Sequence, residues 1–172
     1  DDTDLPFYST TSMNHRCCLH NLGFAWPTFT RNLWAATPGN GLAARMYAPC
    51  VVEAKAGPEG DAVRIVETTD YPFKESVEFA IETARPNRFP LTLRIPGWCA
   101  DARVSVNGAA VQKTFPAGSY AVVEKEWIGG DRVRLDLPMK TRIQTWKAQK
   151  GAVSVFRGPL AFSLRIGERW ES

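Results

Sequence analysis

Apolar and polar residues alternate along most of this chain, most clearly over residues 91–137. Leu91, Leu93 and Ile95 are separated by Thr92 and Arg94; Val104 and Val106 alternate with Arg103 and Ser105; Val133, Leu135 and Leu137 alternate with Arg132, Arg134 and Asp136. Successive side chains of a strand point to opposite faces, so each segment offers one apolar face to a core and one polar face to water. The residues between the segments carry turn chemistry. Pro96-Gly97 ends the first, Asn107-Gly108 tolerates the positive φ angles of a tight hairpin, and Gly129-Gly130-Asp131 precedes the last. A run of consecutive strands in an antiparallel sheet with one buried face is expected.

Before this region the periodicity differs. Leu22, Trp26, Phe29 and Leu33 recur at helical spacing and fall on one face of a helix. Pro27 has no amide hydrogen, so either the helix begins near Trp26 or an earlier turn from Cys17 is kinked there. Thr37-Pro38-Gly39-Asn40-Gly41 is expected to stop it, while residues 1–16 read as a connecting segment. After Gly41 come short strand-like segments at 42–47, 51–54, 62–68 and 77–83, then the central group, then 120–124, 142–146, 152–156 and 160–166. About eleven strands at spacings near ten residues predict a mainly β chain, an antiparallel β-sandwich with a jelly-roll-like arrangement. The expected division is a helical piece over residues 1–41 and a sandwich over 42–172. A lone amphipathic helix before a complete sandwich leaves its apolar stripe in search of neighbours, which suggests a fragment.

Composition narrows the function classes. The 172 residues suit one domain, or one with an appendage, and a chain of that length buries about 70% of its unfolded surface, so the core needs no staples. Six Trp and nine Phe can fill a sandwich core or line a sugar site equally well. The formal charge of +3 arises from 21 basic and 18 acidic residues without a like-charged block. Most Arg and Lys fall at polar positions of alternating strands, which argues against a nucleic-acid surface. No apolar run reaches the ~20 residues of a membrane span, so no membrane partner is expected. Asp1-Asp2-Thr3-Asp4 does not resemble a signal peptide.

Cysteines stand at 17, 18, 50 and 99. A bridge between neighbours strains the peptide joining them, so Cys17 and Cys18 read as free thiols or as metal ligands rather than a structural disulfide. Cys50 and Cys99, beside strand ends, read as small buried apolar residues. Residues 14–21, Asn-His-Arg-Cys-Cys-Leu-His-Asn, form the one constellation with catalytic or metal potential. A thiolate is both a strong nucleophile and a soft metal ligand, and Arg16, His15 or His20 could lower its pKa. Structural zinc wants four ligands, however, and the spacing of His15, Cys17, Cys18 and His20 fits no finger pattern. Phosphate loops, dinucleotide fingerprints, the nucleophile elbow and the zinc-protease helix are all missing from the sequence. Glycosidases usually use two carboxylates, but Glu78, Glu82, Glu124 and Glu126 occupy positions expected on a solvated sheet face.

An ordered set of short motifs resembles a known family. It comprises Cys17-Cys18 followed by Asn21; Gly23-Phe24-Ala25-Trp26-Pro27 with Phe29 and Leu33-Trp34; Gly41-Leu42-Ala43 and Tyr47-Ala48-Pro49; and Thr69-Asp70-Tyr71-Pro72-Phe73. Further along come Leu93-Arg94-Ile95-Pro96-Gly97-Trp98-Cys99, Val106-Asn107-Gly108, Gly118-Ser119-Tyr120, Trp127 with Gly130-Asp131, Leu137-Pro138-Met139 and Arg157-Gly158-Pro159-Leu160. The chain resembles the C-terminal part of a β-L-arabinofuranosidase-like glycoside hydrolase, a family with a helical (α/α)6 barrel followed by β-sandwich domains. The resemblance implies that residues 1–41 are the end of that barrel and that the parent enzyme retains configuration. It also implies that Cys17 is nucleophile and zinc ligand and Cys18 a zinc ligand only. The other ligands, a Glu and a Cys, together with the acid/base Glu and sugar-binding His residues, would lie upstream of Asp1. Leu19-His20-Asn21 follows the pair where some members carry two prolines.

Further expectations follow. The parent acts on a carbohydrate, with L-arabinofuranosides the leading candidate, and this type of enzyme is compatible with a periplasmic or secreted setting. The 172-residue chain alone is expected to be inactive and to bind zinc poorly. Its helix stripe should lie against the sandwich or against a second copy, giving a homodimer. A carbohydrate-binding module is the alternative reading of the sandwich, with Trp98, Trp127 or Trp146 stacking on sugar rings, and a purely structural brace is another.

Overall fold

The computed structural model describes residues 16–165 and 167, and for residues 16–20 the backbone alone. Among the described residues one α-helix, thirteen strands and a short 3-10 helix (Lys147–Gln149) occur; in order, they begin with α1 (Arg16–Arg31), β1 (Trp34–Thr37), β2 (Gly41–Ala44), β3 (Cys50–Ala56), β4 (Asp61–Thr69), β5 (Ser76–Thr83) and β6 (Asn87–Arg94). Then come β7 (Arg103–Val106), β8 (Ala109–Ala110), β9 (Tyr120–Trp127), β10 (Arg132–Asp136), β11 (Thr141–Trp146), β12 (Ala152–Arg157) and β13 (Leu160–Phe162). Among the described residues no helix is long and apolar enough to cross a membrane.

Two sheets enclose the core. Sheet A has strand order β1-β2-β6-β9 and sheet B β3-β4-β5-β10-β7-β8. Inward residues of sheet A, among them Leu42, Phe89, Leu91, Leu93, Val123 and Trp127, share one buried cluster with Val63, Ile65, Val77, Phe79, Ile81, Val104, Val133 and Leu135 of sheet B. Fully burying side chains of this size contributes roughly 1.5–3 kcal/mol each before entropy is counted. The alternation read from sequence thus corresponds to the burial alternation of β6 and β10.

The consecutive strands of residues 91–137 do not form one sheet, contrary to expectation. β6 and β9 pair antiparallel in sheet A, whereas β7, β8 and β10 belong to sheet B. β6 also pairs parallel with β2 through Leu42–Leu91, Ala43–Thr92 and Ala44–Leu93. Gly41 permits this approach, because a Cβ there would collide with Pro90. The Asn107-Gly108 hairpin does form, with φ of 51° and 82° at the two residues, the left-handed pair that a two-residue turn requires.

The helix ends earlier than its apolar spacing suggests. Asn32 and Leu33 donate backbone bonds to Phe29 and Thr30 carbonyls, tightening the last turn, and the Asn32 and Thr30 side chains bond the Thr28 and Trp26 carbonyls. Pro27 lies inside α1 rather than at its start. Thr37-Pro38-Gly39-Asn40-Gly41, expected to stop the helix, instead closes the β1–β2 hairpin, so β structure begins at Trp34. The stripe is also split. Leu33 is buried, but Leu22 and Trp26 are 64% and 70% exposed, as is Phe24 beside the stripe at 73%, and Trp26 and Phe29 stack on each other. The expected packing of this stripe against the sandwich within the same chain is therefore not observed.

Strands β11, β12 and β13 form a separate three-stranded antiparallel sheet instead of extending the sandwich. Ile143, Val153, Phe162 and Leu164 are exposed on or beside it. Arg157 anchors it by an ion pair to Glu75 at 2.6 Å, and Arg142 lies over the Phe156 ring. Gly158, at φ +55°, sits so close to the Met139 side chain that a Cβ would come within 2.7 Å of it.

Candidate functional site

Cys17 and Cys18 are the second and third residues of α1 as described, and their side chains lie outside the described residues, as do those of His15 and His20. The chain therefore carries both candidate ligands on the helix that leads, through Leu33, into β1. Two adjacent thiols have the donor chemistry zinc favours. Among the described residues no group of three or more His, Cys, Asp or Glu converges to complete such a set.

At the other end of α1 the structure assembles a polar cluster that sequence reading missed. Leu33 accepts backbone bonds from Arg45 and Met46, fixing the helix exit to the end of the β1–β2 hairpin. Trp34, the next residue, donates its indole Nε1–H to Glu67 Oε2 at 2.9 Å, and its ring packs edge-on against Phe79. Glu67 Oε1 accepts the Ala48 amide at 3.2 Å, and the Cys50 thiol approaches Oε2 at 3.5 Å. Cys50 lies opposite Glu67 in the β3–β4 ladder, and Phe79 opposite it on β5. Glu67 retains only 2% of its exposure.

The electrostatics follow from that burial. Desolvation pushes the Glu67 carboxyl up to about 7, only partly offset by the Trp34, Cys50 and Ala48 hydrogen bonds. Burial and the neighbouring carboxylate push the Cys50 thiol up to about 11, the reverse of what a nucleophilic cysteine needs. Tyr47, whose hydroxyl donates to the Arg94 carbonyl at 2.5 Å, is raised above its ordinary value, chiefly by burial. Glu67 was legible in principle. Val63, Ile65, Glu67 and Thr69 occupy the same inward-facing positions of β4, so a carboxylate interrupts an apolar alternation.

The remaining residues singled out from sequence separate cleanly. Cys99 is fully buried, as expected of an apolar filler. Glu78, Glu82, Glu124 and Glu126 are exposed; the first three pair with Arg134, Arg64 and Arg88 across sheet faces. Trp127 is a core residue whose Nε1–H bonds the Phe89 carbonyl at 2.9 Å, which removes it as a sugar platform. Trp98 packs partly buried against the core, while Trp146, on β11, is 46% exposed and bonds Ser154.

Comparison with known proteins places this arrangement. Residues 41–139 match the family described as Beta-L-arabinofuranosidase, GH127 middle domain. Among solved structures, the chain is similar to Ara127N-Se, a GH127 beta-L-arabinofuranosidase from Geobacillus stearothermophilus T6. The identity is 29% and the TM-score 0.76, over 84% of this chain and 23% of that one. It is also similar to a protein titled glycoside hydrolase, at 26% identity and TM-score 0.77 over 92% of this chain and 28% of that one. A GH127 beta-arabinofuranosidase matches at 26% identity and TM-score 0.72, over 84% and 25%. The chain thus spans about a quarter of the length of these structures. No curated protein matches it.

Proposed function

Because the chain belongs to the GH127 β-L-arabinofuranosidase family, we propose that it is the accessory β-sandwich of a retaining glycosidase, together with the helix that delivers the enzyme's nucleophile. The carrying observation is connectivity: the family's middle domain, residues 41–139, is preceded in this chain by a helix bearing adjacent cysteines. In this reading Cys17 attacks the anomeric carbon of an L-arabinofuranoside and expels the protonated leaving group. A thioglycosyl intermediate results, which water then hydrolyses with retention. Cys17 and Cys18 would both hold a zinc ion, which when bound keeps the thiol deprotonated at neutral pH.

The remaining ligands and the acid/base carboxylate belong to the rest of the enzyme in this reading. The 172-residue chain by itself is then inactive, holds zinc weakly and, through its exposed helix stripe, associates with itself. In the full-length enzyme, Cys17→Ala should abolish turnover of aryl L-arabinofuranosides while leaving the fold intact. Undiminished turnover in that variant would overturn the reading, as would stoichiometric zinc and measurable turnover in the isolated chain.

A further inference from the structure

Glu67 takes no part in the reaction proposed above, yet it is the carboxylate on which the exit of α1 converges. Its oxygens collect three donors from two stretches: the Trp34 indole on β1, and the Ala48 amide and Cys50 thiol where the link from β2 runs into β3. Trp34 lies three residues after the last residue of α1, and Leu33 between them is tied to Arg45 and Met46. Since β1 belongs to sheet A while β3 and β4 belong to sheet B, Glu67 bridges the two sheets where the helix joins them.

No cation answers its charge among the described residues. On its own sheet it is flanked by Cys50 and Phe79. From the β2–β3 link come Tyr47, whose phenol is turned to the Arg94 carbonyl, and the Ala48 amide. Arg94, on β6, directs its guanidinium to the Arg45 carbonyl, and Arg45 itself is exposed. Cys50 and Tyr47 stay protonated through neutral pH and so cannot take up the charge. The indole, thiol and amide donors each favour the ionised carboxyl, and burial outweighs all three. A buried anion served only by neutral donors would be stabilised better by water, which would reach it only if Trp34 and the 48–50 link parted from β4.

We infer that Glu67 is a proton-responsive clamp on the α1–β1 junction, closed while its carboxyl is neutral and loosened as it ionises. Its bearing on the aim of Cys17 rests on the function proposed above, but the clamp itself does not.

The test uses the full 172-residue chain with ¹⁵N-labelled tryptophan and ¹³C-labelled glutamate carboxyls, followed by NMR from about pH 5 to about pH 9. The indole signal that Trp34→Phe removes should move with a midpoint near 7, together with one carboxyl carbon, and Glu67→Gln should abolish both movements. From about pH 5 up to that midpoint the Trp34 indole hydrogen should exchange with a pH dependence steeper than the about tenfold per unit of simple base catalysis, because opening adds to it, and above the midpoint the ordinary slope should return. A Trp34 signal that stays flat, or one that still titrates in Glu67→Gln, overturns the inference. So does exchange that keeps the ordinary slope throughout the range below the carboxyl midpoint, since Glu67 would then ionise without opening anything. Should Glu67→Gln fail to fold, the carboxyl carbons decide without it: glutamates all titrating below about pH 5 are incompatible with the clamp. None of these readouts uses glycosidase turnover, so the clamp and the Cys17 reading stand or fall separately.

Discussion

Among the described residues two carboxylates are buried, and they meet burial in opposite ways. Asp131 closes the turn between β9 and β10. It accepts Lys125 Nζ at 2.6 Å, Asn107 Nδ2 at 2.7 Å and the Ile128 amide at 3.0 Å. Glu67 also gathers three donors, but all are neutral and they stand at 2.9, 3.2 and 3.5 Å. Burial is the largest influence on both and pushes both upward. At Asp131 the hydrogen bonds and the ammonium outweigh it and hold the carboxyl below its ordinary value, while at Glu67 burial prevails. The number of donors does not decide the ionisation of a buried acid; their charge and closeness do. Location explains the difference. Asp131 sits at a turn that a partly exposed lysine can reach from outside, whereas Glu67 lies between sheets among Trp34, Phe79 and Cys50.

Breaking the comparison at its stronger side should cost most. Asp131→Ala leaves Lys125, Asn107 and the Ile128 amide without their shared acceptor, and about 3–4 kcal/mol of stability should be lost in urea denaturation at neutral pH. Because the folded-state pKa is depressed, the wild-type contribution is present above the ordinary carboxylate value of 3.8 and disappears as pH falls through the lower folded value. The Asp131→Ala chain should therefore lack that part of the acid sensitivity, and an unchanged acid limb would contradict the role assigned to Asp131.

The opposite sign is expected at Glu67. Its pKa rises from 4.5 to about 7 on folding, so the folded state holds its proton longer and stability falls as pH climbs through that window. The span is at most about 3 kcal/mol. Glu67→Gln should flatten this slope, making the variant gain on wild type between the acid and alkaline ends. Parallel curves would count against a titrating Glu67.

A smaller change should sharpen the same contrast. Trp34→Phe keeps the aromatic packing on Phe79 but removes a donor that lowers the Glu67 pKa. It should cost about 1 kcal/mol and move the Glu67 midpoint higher still; a midpoint moving down would mean that the indole does not serve the carboxylate. At the bottom of the scale, Arg64→Ala removes exposed pairs with Glu82 and Glu53 on the outer face of sheet B. Its effect should stay within about 0.5 kcal/mol and vanish in high salt.

Local pattern alone determined much of this protein. The strands at 91–137 and the Asn107-Gly108 hairpin are written in alternation and turn residues, because the period of a strand and the φ demands of a tight turn are properties of a few adjacent residues. Cys17 and Cys18 acquire a role only through family resemblance, since two neighbouring thiols do not constitute a site. Pairing was decided by the tertiary structure. An inward-facing strand can serve either sheet, so nothing in residues 91–137 says that β6 joins β2 in parallel while β7 and β10 cross to the facing sheet. Helical spacing carried Leu33 into a stripe that the folded chain splits, because the Arg45 and Met46 amides claim its carbonyl and turn the backbone into β1. Glu67 is the sharpest instance. Its inward register follows from β4 by itself, but its chemistry depends on an indole, an amide and a thiol from 17 to 33 residues away, which only packing brings to one carboxylate.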